Sequence, residues 1–101
     1  MTWEAISADR ELLELAAKAA GIWDYAENCI DIPWNPLTDD GDALRLAVKL
    51  GLDVDHFGNS VVVEAWVVGI QPCAVEYNSD RYAATRRAIV RAAAEIGKAQ
   101  L

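Results

Sequence analysis

The sequence predicts an α+β domain in which three helices pack on a small, mainly antiparallel sheet of three or four strands. Three observations carry this expectation. Two segments with apolar stripes at helical spacing each run into a glycine, Gly21 and Gly51. Alternating segments flank the turn Gly58-Asn59-Ser60, and a closing Ala- and Arg-rich segment follows Ser79 or Asp80 as its cap. At 101 residues the chain is expected to form one domain, residues 1–101. A domain of this size buries only about two-thirds of its unfolded surface, so a homodimer would add useful burial.

Taken in order, Ser7 is the expected N-cap of a first helix from about Ala8 to Ala20, with Asp9 and Glu11 in its first turn and Gly21 as a left-handed stop. Leu12, Leu13, Leu15, Ala16, Ala19 and Ala20 share one face of it, opposite Glu11, Glu14 and Lys18, the pattern of a helix lying on a sheet. Ile22 to Ile32 mixes signals: Ile22-Trp23 reads as a short strand and Glu27-Asn28 as a turn. The second helix is expected from about Asp39 to Leu50, capped by Thr38 and stopped by Gly51. Leu52 to Phe57 alternates as a half-buried strand, and the turn at Gly58 leads into a longer strand from Val61 to Val68. A second turn at Gly69-Ile70-Gln71-Pro72 returns the chain along Cys73 to Tyr77, and the last helix is expected to end at Gly97. Period-two geometry puts Val61, Val63, Ala65, Val67, Cys73, Val75 and Tyr77 on a core face. Val62, Glu64, Trp66, Val68, Ala74 and Glu76 fall on the other face, which is apolar enough to need cover by the first helix or a second copy.

The block Ile32-Pro33-Trp34-Asn35-Pro36-Leu37-Thr38-Asp39-Asp40-Gly41-Asp42-Ala43 is the most distinctive stretch. Two prolines forbid helix around an indole, and the polar residues that follow start one. Asn35-Pro36 followed by Thr38-Asp39 and Asp42-Ala43 resembles the small phage and prophage proteins grouped as the phage ABA sandwich family. The first-helix ending Ala19-Ala20-Gly21-Ile22 resembles that family, as does Ala84-Thr85-Arg86-Arg87-Ala88-Ile89-Val90-Arg91-Ala92-Ala93 in the closing helix. Together these segments cover most of the chain, while Val54 to Tyr77 matches only as generic strands containing a Trp. The resemblance implies a three-layer, α-β-α sandwich-like arrangement of helices and sheet and a phage setting, and it supplies no catalytic residues.

Charge is uneven. The chain carries a net −7; residues through Phe57 hold twelve acids and four bases, and the remainder holds four acids and five bases. Such a chain lacks the concentrated basic surface that direct nucleic-acid binding requires, and its acidic part suits a basic partner. The start, Met1 to Ser7, has no basic region followed by an apolar run, and no stretch reaches the length of a membrane span, so a cytoplasmic protein is expected, in a host cytosol if the phage setting holds. In that reducing compartment Cys29 and Cys73 read as two small buried hydrophobes rather than a disulfide.

No catalytic or metal motif stands out. Asp39, Asp40 and Asp42 lack the alternation and closing Glu of a calcium loop, and capping accounts for them. His56 is the only imidazole, so no multi-histidine zinc site forms within one chain. Glu64 and Glu76 are the one carboxylate pair that could be imagined as an acid and base, and two glutamates on a wet strand face are far commoner. The expected contact residues are therefore Trp34, between prolines beside an acidic helix start, with Asp39, Asp40 and Asp42, and the basic Arg87 and Arg91 of the last helix. These support, first, a non-catalytic phage or prophage accessory protein that binds a host protein, itself basic or nucleic-acid-binding, in an anti-defence role by analogy, and that needs no cofactor. Second is a protein sequestering a small nucleotide-like signal through Trp stacking and Arg contacts. Third is a hydrolase with carboxylate acid and base, placed last because no nucleophile, base and orienter occur at recognisable spacing.

Overall fold

The computed structural model describes the backbone of residues 3–100 and the side chains of residues 8–100. The order of elements is α1 (Trp3–Ala20), β1 (Trp23–Asp24), β2 (Cys29–Ile30), α2 (Asp40–Leu50), β3 (Asp53–Phe57), β4 (Ser60–Glu64), β5 (Cys73–Glu76) and α3 (Arg81–Ala99). The fold is α+β, with three helices, a three-stranded antiparallel sheet in the order β3-β4-β5 and a two-stranded hairpin β1-β2. None of the described helices is long and apolar enough to cross a membrane.

The two glycine stops act as the sequence indicates. Gly21 and Gly51 sit at φ +75° and +64°. The amides that follow reach back, Ile22 to the Ala17 carbonyl at 3.0 Å and Leu52 to the Ala47 carbonyl at 2.9 Å, closing each helix end with a left-handed residue that only glycine adopts cheaply. The helix starts differ from expectation. Ser7 lies inside α1, not at its cap. Asp39, rather than Thr38, caps α2, accepting from the Asp42 amide at 2.7 Å. The neighbouring turn decides between these two capping residues. Both the Thr38 and Asp39 amides close back onto the Asn35 carbonyl, which leaves Asp39 extended at the cap position.

The ambiguous segment resolves into the small hairpin, in which Trp23 pairs with Ile30 and Asp24 with Cys29. Its turn is held by the Asp24 carboxylate, which accepts from the Ala26 and Glu27 amides, and by Asn28 in the left-handed region. Cys29 is exposed on this hairpin and Cys73 is half-buried on β5, so neither is the fully buried hydrophobe expected; both are free thiols.

In the larger sheet the register pairs Val54 with Val63, His56 with Val61, Val61 with Val75 and Val63 with Cys73. These residues form the inner face, and Val61 and Val63 are fully buried. β4 stops at Glu64, four residues before the expected end at Val68. Glu64 pairs with Asp53, the first residue of β3, and β5 begins opposite Val63, so beyond Glu64 no neighbour remains to pair with. Ala65 and Val67 are therefore not sheet residues, and Val67 is exposed.

All three helices lie on one side of this sheet. α3 rests on β4 and β5; α1 packs on α3, with lesser contact to α2 and the hairpin; α2 packs on α3. α3 is consequently buried around most of its girth, through Ala84, Ala88, Val90, Ala92, Ala93 and Ile96 among others. Gly97, expected to end α3, lies within it. A Cβ built there would stand 2.0 Å from the Leu15 carbonyl oxygen of α1, so the glycine is where the two helices touch backbone to backbone. Two ion pairs then fix α3 to its neighbours. Arg87 meets Asp9 of α1 through two bonds of 3.0 and 3.2 Å, and Arg86 reaches Asp40 of α2 at 2.6 Å and the Leu37 carbonyl at 2.8 Å.

Gly97→Ala tests the crossing. On helix propensity alone the substitution would stabilise α3 by about 1 kcal/mol. The clash with Leu15 backbone should reverse that sign and cost about 1–3 kcal/mol, read as a lowered urea midpoint at unchanged slope. A stabilised variant would show that the helices do not meet there.

Candidate functional site

Most of the residues expected to bind a partner have structural partners of their own. Asp39 caps α2 and lies 3.8 Å from Arg45. Asp40 pairs with Arg86. Asp42 accepts from the Asn35 amide at 2.9 Å and from Arg45 at 2.8 Å. With the Asn35 carboxamide taking the Leu37 amide at 3.0 Å, these bonds lock the extended arm onto the helix it feeds. Trp34 is half-buried and packs against the core. Arg87 is held by Asp9, and Arg91 is exposed, so the two do not converge with Trp34 and the aspartates into one site.

Two other surfaces carry more unsatisfied chemistry. The first is the outer face of the larger sheet. Because every helix lies on the inner side, Asp53, Asp55 and Phe57 of β3, Ser60, Val62 and Glu64 of β4, and Ala74 and Glu76 of β5 face outward. Trp66, just past β4, is 78% exposed, and Phe57 is 62% exposed. The expected cover from α1 is not there. The Trp66 indole N–H donates to the Asp53 carboxylate at 2.8 Å, which pins the ring at the sheet margin. Four carboxylates share this face, and the chain has no Lys or Arg between Lys49 and Arg81.

Asp53 and Glu64 stand directly opposite each other in the register. Like charges so placed oppose strand pairing. Glu64 and Glu76, in contrast, are not opposite: Glu76 pairs with Ser60, four residues from Glu64 along β4, or about 13 Å at ~3.3 Å per residue. That exceeds the ~5–9.5 Å over which paired carboxyl groups share hydrolytic work, so this acid-base pair is not assembled.

The second surface is a groove of about 550 Å³ on the inner side, between α2, α3 and β3. It exists because α3 covers β4 and β5 but not β3. Ala43 and Ala47 of α2, Val54 of β3 and Ile89 of α3 line its walls. Leu44 and Tyr82, 65% and 72% exposed, stand at its mouth. At one end the buried Tyr77 hydroxyl hydrogen-bonds His56 Nδ1, the His56 ring lies stacked at 5.8 Å, and the Arg81 guanidinium sits 5.0 Å above the Tyr77 ring. The one aliphatic hydroxyl lining the groove, on Thr85, donates to the Arg81 carbonyl at 2.8 Å. This end is not legible in the sequence, because His56, Tyr77 and Arg81 come from β3, the residue after β5 and the start of α3.

Among the described residues no three His, Cys, Asp or Glu side chains gather as metal ligands. Burial pushes the Cys73 thiol up, with Glu95 adding to the shift and Arg91 opposing it, so this cysteine is held in its less reactive protonated form. Compared with protein-family models, with curated proteins and with solved structures, the chain finds no match.

The Asp42 carboxyl is held below the ordinary aspartate range, first by the Asn35 backbone N–H and next by the Arg45 hydrogen bond, against an opposing effect of burial. A carboxyl whose folded-state pKa lies below its unfolded value contributes stability that is complete above the unfolded value, about 3.9, and is lost as pH falls through the folded one. Asp42→Ala should therefore cost about 1–3 kcal/mol at neutral pH, because the Asn35 amide loses its acceptor, and this cost should shrink in strong acid. Urea titrations at neutral pH and below pH ~3 read both effects; an equal cost at the two pH values would rule out the charge as its source.

Proposed function

We propose that this is a non-catalytic binding protein, a phage or prophage accessory protein in keeping with the resemblance of its sequence, that captures a basic host protein through the open outer face of its sheet. Interference with host defence is the natural setting for such a protein. The observation that carries this reading is the composition of that face: four carboxylates, no cation, and the exposed rings of Phe57 and Trp66. Acidic rims steer a basic partner to the surface, and an aromatic anchor gives it something to bury. An arginine on the partner meets both needs, pairing with a carboxylate and stacking on the Trp66 indole. A nucleic-acid backbone would be repelled by the same charges. A second copy of this chain set face to face would oppose its own carboxylates.

The experiment is capture of host protein at low and moderate salt, with variants on both acidic surfaces. Trp66→Ala and the pair Asp55→Asn with Glu64→Gln should each lower capture at least tenfold, and salt should weaken wild-type capture because it screens exposed charge. Glu64→Gln alone should also raise stability by about 0.2–1 kcal/mol by relieving its repulsion with Asp53. Asp39→Asn keeps a competent helix cap while removing a charge from the other acidic surface, and should leave capture unchanged. Loss of capture in Asp39→Asn with none in the sheet variants would move the contact to the start of α2 and overturn this reading.

A further inference from the structure

The groove between α2, α3 and β3 lies on the opposite side of the sheet from the acidic face, and its chemistry is different. Its volume, about 550 Å³, falls within the ~300–1,000 Å³ of small-molecule sites. Two alanines, Ala43 and Ala47, keep the α2 wall shallow, while Val54 and Ile89 make the interior apolar. Of its charged groups, Asp40 and Arg86 are paired with each other at 2.6 Å. Arg81 has no carboxylate partner among the described residues, and its guanidinium is parked on the Tyr77 ring. In a chain of net charge −7, this end of the groove is a local exception: a positive group beside an apolar cavity.

We infer that this groove binds a small amphipathic anion, an apolar or aromatic body carrying one carboxylate or phosphate group. The body fills the space between Ala47, Val54 and Ile89, and the exposed Tyr82 ring at the mouth can close over it. The anionic head meets Arg81, whose stacking on Tyr77 already restricts it, so little rotamer freedom is lost on pairing. His56, hydrogen-bonded to the Tyr77 hydroxyl, presents a second polar ring beside that head. A neutral body of the same shape would leave the guanidinium without a counter-charge, and a cation would be repelled by it. The inference does not rest on the sheet-face reading, since it uses none of the residues on that face.

Backbone amide NMR titration at neutral pH, with 2-naphthoate, 2-naphthyl phosphate and the uncharged 2-naphthylmethanol as probes, tests it on the whole chain. Both anions should shift amides of Val54, His56, Tyr77 and the segment from Arg81 to Ile89, and should bind about tenfold tighter than the alcohol. The relative affinity of carboxylate and phosphate tells which head the site prefers. Arg81→Gln, an exposed substitution, should erase the difference between anion and alcohol while leaving the rest of the spectrum in place, and Tyr82→Ala should weaken all three probes several-fold. Shifts confined to Phe57, Val62 and Trp66, equal binding of anion and alcohol, no binding at millimolar probe, or an Arg81→Gln variant that still prefers the anions would each overturn it. Shifts confined to Phe57, Val62 and Trp66 would place the probe on the outer face; the other outcomes do not bear on capture by that face, and loss of capture leaves the groove titration unaffected.

Discussion

The close crossing of α1 and α3 is the constraint on which the rest of the molecule depends. Among the described residues the largest side chains fully removed from solvent are Val61, Val63, Val90 and Pro36, and the rest of the core is dominated by alanine. Methyl groups remove little apolar area each, so such a core gains its stability by bringing backbones close and multiplying short dispersion contacts. Ala16 and Ala17 of α1 and Ala92, Ala93 and Ala94 of α3 are almost wholly buried, and Gly97 removes the last side chain where Leu15 backbone passes. The Arg87–Asp9 pair then fixes the orientation of two helices that small residues alone would hold loosely. With α3 between α1 and the sheet, and α2 packed on α3 as well, none of the described helices covers the sheet's far side.

Both candidate surfaces follow from that placement. Stacking the helices on one side leaves the outer face of β3, β4 and β5 bare, and a face without a covering layer must be polar enough to stay in solution. Asp53, Asp55, Glu64 and Glu76 serve that need with a single sign of charge, and the same residues give the face a negative potential. On the inner side, a single helix of α3's width reaches two strands and leaves the third, β3, exposed on its inner face. α2 stands across from it without closing the gap because the floor of its groove-facing side is Ala43 and Ala47, while its larger buried side chain, Leu46, points into the core. The groove is thus a by-product of small-residue packing, and its cationic end arises where the first turn of α3 meets Tyr77, the residue after β5.

What could be read from the sequence was what local chemistry decides. Gly21 and Gly51 stop helices because their positive φ is intrinsic to the residue. The turn at Gly58-Asn59 and the alternation around it assigned inner and outer faces correctly from Val61 to Val63 and from Cys73 to Glu76. What could not be read depends on distant neighbours. Gly97 near the end of an alanine-rich helix is consistent with a stop or with a close approach, and only α1, more than eighty residues away in the chain, selects between them. Val67 and Val68 have strand propensity, but a strand needs a partner, and β3 begins too late to provide one. Thr38 and Asp39 are both competent caps, and the turn closing on the Asn35 carbonyl decides for Asp39. The groove was invisible for the same reason, since its polar end is assembled from β3, the residue after β5 and the start of α3.

The acidic face also shows where stability and binding pull apart. A sheet selected only for stability would place opposite charges, or a charge and a neutral residue, across the Asp53–Glu64 pair. Here two carboxylates face each other, and one of them is further committed to holding the Trp66 indole in place. The indole in turn stays in water, where a ring of that size contributes nothing to the core. Local unfavourable choices that cluster on one surface, while the caps, helix stops and inner strand pairs elsewhere agree with the fold, are the pattern expected where a surface is shaped for something outside the chain. A basic partner would remove both costs at once, neutralising the paired carboxylates and burying the indole they position.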